Sequence, residues 1–170
     1  IMARKCITKK KPVTIERMYN SSENHKNTAT AIADMWSHIG INVTYKIRDA
    51  AAHYAYLRDQ GKMQVARAGW IGDYSDPQSF LFLLESHNVG FNYAKYKNPE
   101  YDAIMVRAAN ELDIVKRADI LRQAEALIMR DTPFLSIFYY SSFGLVSPKV
   151  RGWESNVMNK NLTRYLALEE

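Results

Sequence analysis

Two aspartates three residues apart, Asp73 and Asp76, flank Tyr74 in the run Gly72-Asp73-Tyr74-Ser75-Asp76-Pro77, and carboxylates at such a spacing can in principle share acid–base work. Asp76, however, immediately precedes Pro77, the arrangement of a helix N-cap followed by proline at the first helical position. That gives Asp76 a structural task and leaves Asp73 without one. A lone aspartate in a Gly-Asp-Tyr turn either hydrogen-bonds its own backbone or holds its charge for something else. Six residues upstream, Arg67 interrupts the apolar run Val65-Ala66-Arg67-Ala68-Gly69-Trp70, where a cation is costly unless it faces a cleft or an acid. Trp70 at the end of that run can serve a core or a pocket. His25, just after Ser21-Ser22, reads as a residue of the first turn of a helix. The remaining histidines, His38, His53 and His87, are scattered without metal-ligand spacing, the single cysteine is Cys6, and no glycine-rich phosphate loop occurs. Nucleophile with base, metal cluster and phosphate cradle are therefore all missing as sequence patterns, and no cofactor is expected.

The elements that must position these residues are legible from periodicity. Val13-Thr14-Ile15-Glu16-Arg17-Met18-Tyr19 predicts a strand that ends in the turn and capping residues Asn20-Ser21-Ser22. Ala29, Ile32, Ala33, Trp36 and Ile39 fall on one face of a helix, with Gly40 as its stop. Ile41–Ile47 alternates as a half-buried strand, a second helix through Tyr54 and Leu57 stops at Gly61, and Met63–Gly69 reads as a third strand. The order β-α-β-α-β is that of an α/β layer. Downstream, Asp76 and Pro77 introduce a short apolar helix over Phe80–Leu84. Asn98-Pro99 opens a helix with Tyr101, Ile104, Met105, Ala108 and Leu112 on one face, and Asp113 caps another with Ala118, Leu121, Ala124 and Ile128 inward. These two predict a helical hairpin. Phe134–Tyr140 is aromatic and β-rich, Gly144–Val146 continues or re-enters a sheet, and Tyr165–Leu168 is read as a final strand.

At 170 residues, 47% of them hydrophobic, the chain can bury a core as one compact unit. Its net charge of +5 raises the question of nucleic acid or an anionic membrane. Arg4, Lys5, Lys9, Lys10 and Lys11 answer it: without these five the chain carries 18 basic against 18 acidic side chains. The excess belongs to an arm, residues 1–11, in which nothing aromatic interleaves the charges, and a solvated or added tail is the expectation there. With one cysteine there is no internal disulfide framework. No run approaches the roughly 18 apolar residues that span a bilayer. The N-terminus lacks the apolar core of a secretory signal, so for an exported protein the signal is expected upstream, and the opening Ile1 suggests a longer polypeptide.

With these residues in view, Ala66-Arg67-Ala68-Gly69-Trp70-Ile71-Gly72-Asp73-Tyr74-Ser75-Asp76-Pro77 closely resembles the signature of the oligopeptide- and dipeptide-binding proteins of ABC importers, extracellular solute-binding protein family 5. The likeness extends through Asn20–Lys26, the Trp36 helix, Tyr96–Asp102, Arg117–Asp131, Tyr139-Tyr140 and Leu145–Gly152. It covers about residues 12–168.

The resemblance implies an α/β fold of the periplasmic-binding-protein type II, with a mixed sheet, flanking helices and a helical hairpin, and no enzymatic activity. Residues 12–147 would form the ligand-binding lobe and residues 148–170 a crossing segment with a final strand returning toward the other lobe. Partners implied are a peptide ligand, an ABC permease in the inner membrane and the remaining lobe of the full-length protein, with no nucleic acid. The location implied is periplasmic, or lipid-anchored and extracellular in a Gram-positive host. Residue by residue, the resemblance implies that Asp73 pairs with the peptide's α-ammonium and that the strand Arg67-Ala68-Gly69-Trp70-Ile71 offers main-chain groups to the peptide, as to an added strand. Arg67 and His25 match positions that meet the ligand's terminal carboxylate, and Arg58 matches a further basic pocket residue. Ala50-Ala51 stands where many relatives carry Glu-Trp, which implies a wider pocket that lacks one aromatic wall. Within the family, muropeptides, a nickel chelate or haem are alternative ligands. Outside it, the alternative is a stand-alone interaction domain whose basic arm meets nucleic acid or membrane.

Overall fold

The computed structural model describes residues 12–59, 61–141 and 143–169, so the basic arm lies outside the described residues. The chain divides into two compact units: one runs to Trp70 and takes in Ser86–Lys97, the other comprises Ile71–Glu85 and the chain from Asn98 onward.

The first unit is built as its periodicity predicts. β1 (Val13–Asn20), α1 (Glu23–Ser37), β2 (Ile41–Arg48), α2 (Ala50–Asp59) and β3 (Val65–Ala66) follow in order, and the three strands form a parallel sheet in the order β2-β1-β3. β1 pairs with β2 along its whole length, from Val13↔Ile41 to Asn20↔Arg48, and with β3 at Arg17↔Val65 and Met18↔Ala66. As the central strand of a parallel sheet, β1 is buried over Arg17-Met18-Tyr19-Asn20. One face meets α1: Arg17 Nη1 donates to the Ala29 carbonyl at 3.3 Å, and burial holds the Arg17 guanidinium below its ordinary pKa. The other meets α2, whose His53 and Leu57 are fully buried. Gly40 and Gly61, at φ 84° and 59°, end the two helices as expected, because only glycine enters that region without penalty.

The third strand is shorter than Met63–Gly69. At its start the Gln64 side-chain oxygen, not a ladder carbonyl, accepts the Glu16 N–H at 2.6 Å. At its end the Arg67 N–H still donates to Met18 O, but the Arg67 carbonyl is taken by His53 Nε2 at 2.8 Å. Side chains at both ends replace the ladder, and β3 stops.

In the second unit, α3 (Gln78–Leu81) starts two residues earlier than the apolar run, with Pro77 at its N-cap in place of the expected Asp76, and continues as a 3-10 turn, Phe82–Leu84. α4 (Pro99–Asn110) is capped by Asn98, which accepts from Glu100 N at 2.9 Å, and α5 (Ile114–Asp131) by Asp113, which accepts from Val115 N at 2.9 Å. The hairpin core holds Tyr101, Ile104, Met105 and Ala108 of α4 with Leu121, Ala124, Leu127 and Ile128 of α5. The fully buried Tyr101 donates its hydroxyl to Leu81 O at 2.6 Å, which anchors α3 to the hairpin. Leu112 is not part of this face. It follows the end of α4 and is 95% exposed. Ala118 is exposed too, because the inward stripe of α5 begins at Arg117 and runs through Leu121, Ala124 and Ile128. No strand forms over the described residues of 134–146, where Tyr139 is 100% exposed. A β-rich sequence needs a partner strand to complete its ladder, and none of the described strands supplies one. β4 (Val150–Arg151) pairs antiparallel with β5 (Ala167–Leu168), closed by an Arg151–Glu169 ion pair.

Arg117 reaches from α5 to Asp76, binding both carboxylate oxygens, with Nη2 to Oδ1 at 3.1 Å, while Asp76 Oδ1 also accepts from Gln78 N at 2.8 Å. The Arg117 hydrogen bonds hold the Asp76 carboxyl below its usual range, against the opposing effect of burial. A depressed folded pKa contributes stability that is present above the unfolded value, about 4, and lost as pH falls below it. Asp76→Asn keeps an acceptor for the Gln78 N–H and removes the ion pair, so it is expected to cost about 1 kcal/mol at pH 7 in this half-exposed setting. In urea titrations of this chain at pH 7 and pH 3, the difference from wild type shrinks at the lower pH. A difference that persists unchanged at pH 3 would show that the ion pair is not its source.

Candidate functional site

In an open parallel sheet, ligands bind beyond the carboxyl ends of the strands, where the connections diverge to opposite sides. Here that point lies beside β1, whose neighbours are β2 on one side and β3 on the other. The end of β1 is Asn20, and it organises what surrounds it. Its carbonyl accepts from His25 Nδ1 at 3.1 Å, and its side-chain oxygen accepts from Arg67 Nη1 at 3.3 Å. The same Arg67 nitrogen donates to the Tyr54 hydroxyl at 2.6 Å. Residues 20, 25, 54 and 67 are thus gathered by the fold, and two of them, Asn20 and Tyr54, were not recognised in the sequence. Asn20 reads there as a turn residue and Tyr54 as an apolar helix position, and only strand pairing brings them to Arg67.

The Arg67 side chain folds back over Gly69: a Cβ at Gly69 would stand 2.9 Å from Nη2 and 3.4 Å from Cζ, so the glycine makes room for the guanidinium. Beyond β3 the main-chain groups of Ala68, Gly69 and Ile71 make no hydrogen bond with any described residue. The Trp70 ring meets Phe91 edge-on at 5.0 Å, and Tyr54 lies 6.1 Å from Tyr93, whose hydroxyl pKa is raised by burial. His53 sits beneath, its pKa lowered first by burial and further by Arg67, Arg48 and His25, so it is a neutral imidazole that donates through Nε2. Arg58 stands at the edge of this group, within electrostatic reach of Tyr93. It lies one turn beyond Tyr54 on α2 and binds its own neighbour Asp59, Nε to Oδ1 at 2.8 Å.

Ile71 and Asp73 belong to the second unit, whose first residue is Ile71. Ile71 is 85% exposed. The Asp73 N–H donates to the hydroxyl of buried Ser79 at 2.7 Å, which fixes the turn through the backbone. Its carboxylate, exposed, has no hydrogen bond or ion pair among the described residues, whereas that of Asp76 is bound by Arg117. The two acids therefore do not act as an acid–base pair: one is committed to structure and the other is open. Among the described residues no three His, Cys, Asp or Glu side chains are placed to hold a metal ion, and no described helix is long and apolar enough to cross a membrane.

Residues 3–92 match the family described as bacterial extracellular solute-binding proteins, family 5 Middle. The chain is 34% identical over 147 residues to the periplasmic murein peptide-binding protein MppA of Escherichia coli K12, covering 86% of this chain and 27% of the relative. To the periplasmic oligopeptide-binding protein OppA of the same organism it is 36% identical over 154 residues, 90% of this chain and 28% of the relative. Among solved structures, Haemophilus influenzae OppA in complex with RPPGFSPFR superposes with a TM-score of 0.84 at 31% identity, over 98% of this chain and 33% of that one. Burkholderia pseudomallei OppA does so with a TM-score of 0.85 at 29% identity, over 99% and 33%. The chain spans under a third of the length of these curated relatives, and its fold is that of part of a type II periplasmic binding protein. By sequence and fold together, the chain belongs to family 5 of the bacterial extracellular solute-binding proteins.

Proposed function

We propose that this chain is the C-terminal lobe of the peptide-binding component of an ABC-type import system, a module that grips peptide termini and main chain without catalysing a reaction. The observation that carries the reading is the stretch Arg67–Asp73. It offers a guanidinium held in place by Asn20 and Tyr54, main-chain groups of Ala68, Gly69 and Ile71 with no hydrogen bond among the described residues, and the open carboxylate of Asp73. An extended peptide adds to such an edge through its main chain, and its terminal carboxylate meets Arg67 with His25 beside it; the family resemblance assigns its ammonium to Asp73. Trp70 walls the ligand, and Arg58 adds positive charge at the margin. Recognition of termini and main chain leaves side chains unselected, which suits uptake of many peptides. The remaining lobe supplies the opposite wall, the permease in the inner membrane receives the ligand, and the protein works in the periplasm, or outside the cell on a lipid anchor. Relatives include a haem-binding protein and a probable deoxycholate-binding protein, so these ligands serve as the contrast set.

Calorimetry with short peptides on the full-length protein and on this 170-residue chain tests the reading. The full-length protein is expected to bind peptides, and the chain alone to bind them more than about tenfold less tightly, since half the enclosing surface is missing. Equal affinity of the isolated chain would overturn the two-lobe reading. Binding of haem or deoxycholate without any peptide would overturn the ligand class.

A further inference from the structure

Arg48 ends β2 as Asn20 ends β1, and the two are register partners. Its guanidinium carbon lies 4.1 Å from the Tyr56 ring centroid, and its Nη1 is buried without a hydrogen-bond partner although the residue as a whole is partly exposed. A buried guanidinium N–H without an acceptor is a standing cost. The carboxylates on the neighbouring elements are otherwise engaged. Asp49 Oδ1 caps α2 by accepting from Ala52 N at 3.0 Å, and Glu16 faces Lys46 at 3.9 Å. Among the described residues no acid is within ion-pair distance of Arg48. The charges within electrostatic reach of His53 are all of one sign: Arg67, Arg48 and His25 each act to lower its pKa. The helix that follows opens with Ala50-Ala51-Ala52, all exposed, so its first turn adds no bulky side chain to the Tyr56 ring already against the guanidinium.

From this arrangement we infer that Arg48 is a specificity-determining cation that receives an acidic side chain near the C-terminus of the ligand. The inference rests on the peptide-binding reading and names the subclass of peptide preferred. The separation fits. Arg48 ends β2 and Arg67 directly follows β3, on either side of β1, two interstrand spacings or about 10 Å apart at the backbone. An extended peptide advances about 3.3–3.6 Å per residue, so with its terminal carboxylate at Arg67, a Glu or Asp side chain from the last two or three residues spans the remainder. A planar guanidinium already braced on an aromatic face loses little freedom when it forms a carboxylate pair.

The experiment compares, in the full-length protein, Ala-Glu-Ala and Ala-Ala-Glu with their glutamine counterparts, which keep the shape and remove the charge. Wild type is expected to bind at least one glutamate peptide about tenfold or more tighter than its glutamine twin. Arg48→Gln erases that preference while changing the affinity for the glutamine peptides less than about threefold, and Arg48→Lys keeps part of the preference. Equal binding of the Glu and Gln peptides by wild type overturns the inference and leaves peptide binding intact, and this comparison needs no variant to fold. A loss of affinity in Arg48→Gln that is the same for charged and neutral peptides would make Arg48 a purely structural partner of Tyr56. Failure of wild type to bind any of the four peptides would overturn the peptide reading itself, and the inference with it.

Discussion

Asp73→Asn in the full-length protein is expected to weaken peptides with a free amino terminus by tenfold or more. The carboxylate is exposed and without a partner among the described residues, so it is available for an ammonium. In a site closed over its ligand, a charge-assisted contact of this kind, once removed, leaves the ammonium without its counter-charge, at a cost on the order of 2–5 kcal/mol. At about 1.4 kcal/mol per decade this is at least tenfold. N-acetylated peptides, which carry no such charge, bind weakly to both forms and barely distinguish them. The melting temperature should hold, because the turn is fixed by the Asp73 N–H on Ser79 and by the Asp76–Arg117 pair, neither of which the substitution touches. A marked fall in melting temperature with an intact preference for free amines would return Asp73 to a turn-forming role.

The second large effect is expected at Arg67. Arg67→Ala should weaken peptides with a free C-terminus by about 10- to 100-fold, the range of a lost charge-assisted pair. C-terminally amidated peptides should lose less than about threefold. If the guanidinium meets the terminal carboxylate, amidation and mutation remove the same interaction, and their effects do not add. Because Arg67 also donates to Asn20 and Tyr54, a second substitution separates binding from structure. Tyr54→Phe deletes the hydroxyl that holds Nη1 and keeps the ring beside His53 and Tyr93. It should weaken free-carboxylate peptides by a few-fold and leave amides unchanged. Full additivity of Arg67→Ala with amidation would place the arginine in the scaffold alone.

The length of the relatives frames these experiments. The chain spans under a third of such proteins, and its aromatic stretch from Phe134 to Tyr140 is exposed. Phe138 and Tyr140 meet edge to face at 5.0 Å in a segment that has no strand partner among the described residues.

Features that depend on neighbours a few positions away were legible in the sequence. The caps at Asn98 and Asp113, the glycine stops at Gly40 and Gly61, the β-α-β-α-β order and the hairpin all follow from side chains that bond or pack within one or two turns. The motif around Asp73 was equally visible, but what commits Asp76 was not: Pro77 and not Asp76 is the N-cap of α3, and Asp76 is held by Arg117, 41 residues away. The tertiary structure decided matters of partnership at a distance. Strand length did not follow from β-propensity at Met63–Gly69, because His53 and Gln64, remote in sequence, took the groups a neighbouring strand would have used. The apolar run at 134–146 made no strand, because a ladder requires a second chain segment. Only the parallel pairing of β1 with both neighbours set Asn20 beside Arg67 and Arg48. Periodicity reports which face of an element is apolar, not which residue of another element will stand opposite it, so the gathering of Asn20, His25, Tyr54 and Arg67 belongs to the fold.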